Sequence, residues 1–309
     1  MELRDMEYFA VVAEKKHLGH AADALGMSQS ALSKCLRRIE LSVGTKIVVR
    51  TAKGVELTAA GLALLSHVSK LRLAHDDINR EIADLSQGNS GHVRIGISPG
   101  FGEELVGPSI GLLLDESPNV TLKVKVLTPA EMLLAAGNGE LDLVITNTAA
   151  YQQENMVHEP LLDDEFVVYT SLDHPLGKRR KLTLNDIAQE KWTAHIGSNT
   201  WKALQREFAK RKLPVPRLAL ESDSLAVRFH AITSSGLLGF TSRHVVRHAA
   251  PHFRFTELRV SDLAYARQLD LFYRKQAYLS PATRRFITIL KMTAKKIRNE
   301  DGTMIRRAS

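Results

Sequence analysis

Ser28-Gln-Ser-Ala-Leu-Ser-Lys-Cys-Leu-Arg-Arg-Ile39 governs the folding of the N-terminal part of the chain. Leu32, Leu36 and Ile39 fall at i, i+4 and i+7, so a helix here carries one apolar stripe; Gln29, Ser33 and Arg37 line the other side with Lys34 beside them. The spacing predicts a short helix with a greasy inner face and an outer face of hydrogen-bonding and cationic groups. That is the outline of a DNA recognition helix.

On its N-terminal side, Leu18, Ala22 and Leu25 give the stripe of a short preceding helix, Gly26 supplies a left-handed close, and Ser28 caps the next helix. Met6, Phe9, Ala10 and Ala13 predict a third amphipathic helix upstream. Downstream, Lys46 to Arg50 reads as a strand, Thr51 to Gly54 as a turn and Val55 to Leu57 as the returning strand. Helix, glycine turn, helix and a basic-tipped hairpin make a winged helix-turn-helix. Between residues 24 and 55, Lys34, Arg37, Arg38, Lys46, Arg50 and Lys53 stand against Glu40 alone, in a chain of net charge +8. A basic run by itself is as often a solvated face. Here it coincides with the helix-turn-helix and the wing, where phosphates are met. The expected DNA contacts are Ser28, Gln29, Ser30, Ser33, Lys34, Arg37, Arg50 and Lys53. Glutamine suits adenine, arginine suits guanine, and serine suits a base edge or a phosphate.

From Thr58 to Gln87 there is no proline, and Leu64, Val68, Leu71, His75, Ile78, Ile82 and Leu85 follow at alternating steps of four and three. That is an a/d seam, and it predicts a long helix that pairs with a second copy of itself. Two reading heads would then meet two half-sites of a near-palindrome. His75 puts a titratable group in the seam; it reads first as a tolerated edge position, the alternative being a group whose protonation weakens pairing. Gln87-Gly-Asn-Ser-Gly91 ends the linker as a flexible break.

At 309 residues with 44% hydrophobic content, the chain has ample material for a large second domain. No apolar run approaches the ~18 residues of a membrane span, and the chain opens on Glu2-Leu-Arg-Asp5, so a cytoplasmic protein without membrane contact is expected. Cys35 is the single cysteine, which excludes an intrachain disulfide and a cysteine-rich metal site. On the core side of the recognition helix it reads as a small buried hydrophobe. A redox role there would need an exposed, perturbed thiol.

Beyond residue 91 strands and helices alternate. His92 to Ile97, Thr121 to Leu127 and Leu141 to Thr146 read as strands, with helices over 103–116 and 130–138 between them. A second unit follows: a strand at Glu165 to Tyr169, helices near 185–188, 200–212 and 224–234, and a strand near 237–240. Leu269 to Tyr273 returns as a strand and Pro281 to Lys296 closes as a helix. Two α/β lobes joined by crossover strands, with a cleft between them, account for the pattern. Ligands bind such sheets beyond the carboxyl ends of the strands, where helix N-termini donate N–H groups. The loops placed there are Ser98-Pro-Gly-Phe101, Thr128-Pro129, Thr146-Asn147-Thr148 and His195-Ile-Gly-Ser-Asn-Thr200. Their hydroxyls and amides suit a small anion, particularly a carboxylate.

The head resembles the DNA-binding domain of LysR-type transcriptional regulators through Phe9, Ala21-Ala22, Leu25, Ser28-Gln29, Ala31-Leu32-Ser33, Ile39-Glu40, Gly44, Arg50, Leu57-Thr58 and Gly61. It departs at Ser30, where the family has proline, and at His17-Leu18, where it has serine and an aromatic residue. The remainder resembles the same family through Gly91-His-Val-Arg-Ile-Gly96, Pro118, Gly139-Glu-Leu-Asp-Leu143, His174-Pro-Leu176, Ser234-Ser-Gly236 and Leu279-Ser-Pro281. The resemblance implies an α+β protein: a winged helix-turn-helix (1–57), a linker dimerisation helix (58–87), and a two-lobed, periplasmic-binding-protein-like regulatory domain (91–300), followed by a tail (301–309). Lobe I would span about 91–162 and 267–300, and lobe II about 163–266. It also implies an inducer in the interlobe cleft, touching Ser98, Gly100, Phe101, Thr128, Asn147, Ser198, Asn199, Thr200 and Phe240. Residue by residue, helix capping explains each serine or threonine equally well. Leu64, Val68, Leu71, Ile78, Ile82 and Leu85 would form the dimer seam. The implied partners are double-stranded promoter DNA, a small-molecule inducer, further copies of the chain up to a tetramer, and RNA polymerase as a candidate; no cofactor is implied.

An enzyme reading finds little support. The chain has no nucleophile elbow, P-loop or dinucleotide fingerprint. His244, His248 and His252 lie at helical steps, but Pro251 should break the helix, no carboxylate completes the set, and Arg243 and Arg247 would repel a cation. Asp163-Asp164 reads as a surface pair. Two alternatives stay open: a DNA reader fused to an enzyme, which would turn over its cleft ligand, and a constitutive architectural protein, whose DNA footprint no small molecule would change.

Overall fold

The structure, a computed structural model, describes residues 2–52, 54–87, 91–98, 100, 102–147, 155–263 and 265–308. It divides into two compact units, Met1–Ser86 and Gln87–Ser309. Residues 88–90, the middle of the expected break between them, lie outside the described residues.

In the first unit, α1 (Leu3–Lys15), α2 (Leu18–Ala24) and α3 (Gln29–Val43) precede a hairpin of β1 (Val48–Thr51) and β2 (Gly54–Leu57), and α4 (Ala59–Gln87) follows. Phe9, Leu32, Ile39 and Ile47 are fully buried at the centre. Gly26, at φ +62°, makes the turn between α2 and α3. His17 is the N-cap of α2, its Nδ1 accepting from the backbone N–H groups of Gly19 and His20 at 3.1 and 3.4 Å. The Asp5 carboxylate, only 3% exposed, receives the Arg38 guanidinium and ties α1 to α3. That hydrogen bond with Arg38 outweighs burial and holds the Asp5 carboxyl below the usual carboxylate range.

Two glycines set how closely the hairpin and α4 can dock. Gly54, at φ +128°, lies against the Lys16 carbonyl, which accepts from Val55 N–H at 2.8 Å. At Gly61 a Cβ would stand 2.0 Å from the Ile47 carbonyl oxygen. Thr58 starts α4: its Oγ1 donates to the Lys46 carbonyl at 2.7 Å and accepts from Gly61 N–H at 3.0 Å. Val68, 1% exposed, is buried in the head's own core, and Leu64 packs partly against it. The uncovered seam therefore begins at Leu71 and continues through Ile78, Ile82 and Leu85, all exposed.

The second unit is built on a seven-stranded sheet. β3 (His92–Ile97), β4 (Thr121–Val126) and β5 (Leu143–Thr146) run parallel, with β3 central. A π-helical turn at Gly102–Val106 leads into α5 (Gly107–Glu116), and α6 (Pro129–Gly137) joins β4 to β5. β6 (Met156–Ser171) and β11 (Tyr265–Arg274) are long antiparallel strands that cross between the lobes. In lobe II, β7 (Lys191–Ala194), α7 (Asn199–Lys210), β8 (Arg217–Glu221), α8 (Leu225–Ser235), β9 (Gly239–Ser242), α9 (Arg243–Phe253) and β10 (Phe255–Leu258) follow in order, and α10 (Pro281–Ala308) returns to lobe I. Leu113, Leu143, Leu269 and Phe286 centre the lobe I core; Trp192, Phe208 and Leu238 centre that of lobe II.

The structure departs from the expected elements at several points. Residues 185–188 form turns, fastened where the Asp186 carboxylate accepts from Thr183 N–H at 2.8 Å, because the segment is too short for a helix. β7, β8 and β10 have no counterpart among the strands that the sequence reading delimits. Pro251 lies inside α9, near its end, and the helix continues to Phe253. Asp164 is buried, in an ion pair with Arg267. α10 runs past Lys296 to Ala308, through most of the segment expected as a tail, since no proline interrupts it there.

Replacing Gly61 with alanine forces a methyl group into backbone, an overpacking cost of about 1–3 kcal/mol. Gly111, in α5, has open space around its missing Cβ. In urea melts, Gly61→Ala should lower the stability of the first unit by that amount, whereas Gly111→Ala should be neutral or stabilising.

Candidate DNA-binding face and effector cleft

Ser28 Oγ accepts from Ala31 N–H at 3.2 Å and stands 3.0 Å from Ser30 Oγ, so Ser30 supports the cap in the place where the family has proline. Gln29, Ser30, Lys34 and Arg37 are exposed along α3. The six basic residues between positions 24 and 55 are not equivalent. Arg38 is drawn back onto Asp5 and Cys35 Sγ, and Lys46 pairs with Glu40 at 2.7 Å. Arg50, from β1, reaches Ser33 Oγ at 3.3 Å and joins the wing to the recognition helix. The side chains of Lys34 and Arg37 make no hydrogen bond or ion pair among the described residues, which leaves their charge for a phosphate. Lys53 lies outside the described residues. Cys35 is buried.

In the second unit a cavity of about 690 Å³ lies between the lobes, beyond the carboxyl ends of β3, β4, β5 and β7. Ser98, Thr128, Asn147, Ser198, Asn199, Thr200 and Phe240 all line it. Gly100, at φ +98°, packs its backbone on Val245 of α9 and is not among the lining residues. Pro99, Phe101 and Thr148 lie outside the described residues. Several lining hydroxyls also have structural duties. Thr128 forms a capping box with Glu131, and Ser198 Oγ accepts from Trp201 N–H at 3.2 Å while donating to the His195 carbonyl at 2.7 Å. Ser98 and Thr146 hydroxyls are 2.5 Å apart. Asn147 donates to the Gln268 carbonyl at 2.8 Å.

What distinguishes the cavity is that three helices begin at it. Thr128, Ser198 and Ser224 are the N-caps of α6, α7 and α8, and all three line the same space, so their positive dipole ends converge there. Arg228, one turn into α8, has its Nε buried with no hydrogen-bond partner, and Thr193 Oγ1 is in the same condition. Burial pushes the Arg228 pKa down, so the pocket disfavours the charge it holds. Arg267, on β11, is already compensated: it pairs with Asp164 at 2.6 Å and stacks over Phe166 at 4.0 Å. Arg228, Thr193 and Arg267 were invisible to sequence reasoning, because none sits in a loop directly after a strand.

The histidine series of α9 also resolves. His244 Nδ1 lies 3.3 Å from the Glu104 carboxylate and its Nε2 3.2 Å from the Asp163 carbonyl. A carboxylate is therefore present after all, and it joins the π-helical turn of lobe I to lobe II. Burial lowers the His244 pKa, and the Glu104 hydrogen bond and charge reverse this to a net rise. No group of metal-holding side chains occurs among the described residues.

Residues 3–62 match the family described as bacterial regulatory helix-turn-helix protein, lysR family, and residues 86–295 match the LysR substrate binding domain. The chain belongs to the LysR family. It is a DNA-binding transcriptional regulator with an effector-binding domain, and its relatives are regulators, not enzymes. An uncharacterized HTH-type transcriptional regulator of Escherichia coli, YnfL, is 30% identical over 65% of this chain and 69% of its own length. A probable hydrogen peroxide-inducible genes activator of Mycobacterium xenopi is 33% identical over 58% and 94%. Among solved structures, a full-length OxyR variant from Pseudomonas aeruginosa shares the fold, with a TM-score of 0.61, 20% identity, and coverage of 96% of this chain and 95% of that one. No helix among the described residues is long and apolar enough to cross a membrane.

The pairing pattern of this LysR head separates its arginines. Arg37→Ala should weaken DNA binding and lower the salt slope by about one unit for each phosphate that the arginine neutralises. Gln29→Ala should alter base preference. Arg38→Ala should leave the salt slope unchanged and reduce the head's stability instead, since its charge is spent on Asp5. Equilibrium binding at several salt concentrations, against two operator sequences, distinguishes the three.

Proposed function

We propose that the chain is a ligand-controlled promoter-binding regulator whose effector is a small organic carboxylate held in the interlobe cleft. One observation carries the reading: Arg228 presents a buried, unpartnered Nε to a cavity on which three helix N-termini converge. A carboxylate would take charge-assisted hydrogen bonds from that guanidinium and from the helix ends. Thr193 Oγ1 would serve as a further partner, with Ser98, Thr200 and Phe240 shaping the space around the ligand. The Mycobacterium xenopi relative is named for induction by hydrogen peroxide. A thiol response in the regulatory unit is not open to this chain, whose one cysteine is Cys35 of α3.

The exposed row Leu71, Ile78, Ile82 and Leu85 supports pairing of two α4 helices, giving a dimer with two reading heads. In this reading residues 1–57 read DNA, 58–87 pair and 91–300 sense the ligand. Regulatory units assemble further into a tetramer, RNA polymerase is the downstream partner, and the protein works in the cytoplasm.

Calorimetry and thermal melts against a panel of mono- and dicarboxylates, with matched amides as controls, test the ligand class. A carboxylate should raise the melting temperature of the second unit. Arg228→Gln should weaken that ligand by about tenfold to a hundredfold, the worth of a charge-assisted hydrogen bond. Amides binding as tightly as the acids, or an unchanged affinity in Arg228→Gln, would refute the assignment.

A further inference from the structure

We propose that lobe II carries a second ligand site, separate from the cleft, for an organic phosphate bearing two or more negative charges. The site arises from the sheet topology. β9 covers one edge of β6 from Phe166 to Tyr169, while β10 and β11 share the other edge end to end. Leu258 stands opposite Val168 and Tyr265 opposite Phe166, so the chain between them must loop out and leaves a notch at Val167. A cavity of about 720 Å³ occupies this notch.

The outlooping chain is fastened to a basic segment. Leu182 N–H donates to the Arg259 carbonyl at 3.0 Å, and Ser261 N–H donates to the Leu182 carbonyl at 2.8 Å. This brings Arg180, Lys181 and Arg259 to one rim, and all three are exposed lining residues of the cavity. None of their side chains makes a hydrogen bond or ion pair among the described residues. Arg243 and Arg247, one helical turn apart on α9, line the cavity as well. Among the described residues the only carboxylates lining the cavity, Glu165 and Glu257, are both taken by Arg243, with Glu257 at 2.7 and 3.0 Å.

Uncompensated cations gathered on one rim raise each other's free energy, and a bound anion relieves this. Three of them call for more than one negative charge, as a phosphate ester or diphosphate supplies. Phe166, Val168, Val260 and Leu263 give the notch an apolar wall, which calls for an organic body beside the phosphate. Phe166 lines the cleft as well, so the two sites share a wall. An occupant of the notch would then bear on the residue that Arg267 stacks against.

Calorimetry of the full chain with ADP and with inorganic pyrophosphate tests this. ADP should bind once per chain, more tightly than pyrophosphate. The triple variant Arg180→Gln, Lys181→Gln, Arg259→Gln should weaken it by at least about tenfold, with an unchanged circular dichroism spectrum. Arg228→Gln in the cleft and Arg37→Gln on the recognition helix should leave ADP affinity as it is. Loss of binding in either of those variants would place the phosphate elsewhere and overturn the proposal. So would unaltered affinity in the triple variant, pyrophosphate binding as tightly as ADP, or no binding of either.

Discussion

A single cross-strand ion pair fixes the geometry of the regulatory unit. Asp164 on β6 and Arg267 on β11 stand directly opposite each other where the strands pass between lobes, joined at 2.6 Å with the carboxylate side chain fully buried. Ser242, at the end of β9, donates to the same carboxylate at 2.8 Å, and the guanidinium lies over Phe166. Three strands and the start of α9 are thereby fixed to one point. Removing either charge would strand the other in the interior, at a cost of about 3–5 kcal/mol. Burying such a pair gives little net stability, but it holds the register of two long strands and with it the shape of the cleft.

From that point the functional arrangement follows. Phe166 and Arg267 form part of the cleft wall, and the helices α6, α7 and α8 open onto it from both lobes. A ligand held by Arg228 and by helix ends from both lobes would favour whichever lobe spacing brings these groups closest. In the proposed reading, such a preference transmitted to the heads would change DNA affinity, and bound DNA would change ligand affinity by the same factor. His244 and Glu104 span the lobes independently of the cleft. They give the unit a second interlobe contact that a change of spacing must respect.

Helix-forming stripes were legible in the sequence because their signal is local. Leu32, Leu36 and Ile39 had one plausible partner, the core, and all three are buried there. The crossing strands were only partly legible. β6 runs from Met156 to Ser171, yet only Glu165 to Tyr169 carries the apolar run that marks a buried strand. Asp163 and Asp164 sit in its middle and look like surface. The burial of Asp164 depends on Arg267, which is 103 residues away in sequence. Arg228 was hidden for a related reason, since an arginine within a helix reads as a solvated face until the fold turns that helix toward a cavity. Val68 shows the opposite error of locality: its heptad position is regular, but the head claims it for its own core.

If the cleft controls the heads, a ligand bound there must alter how they hold DNA. Hydroxyl-radical footprinting of the full chain on its own promoter, at saturating protein and with or without the carboxylate found by calorimetry, reads this out. The protected bases should change with ligand, and the change should be absent in Arg228→Gln. An identical footprint with the cleft empty and filled would mean that the two units are not coupled.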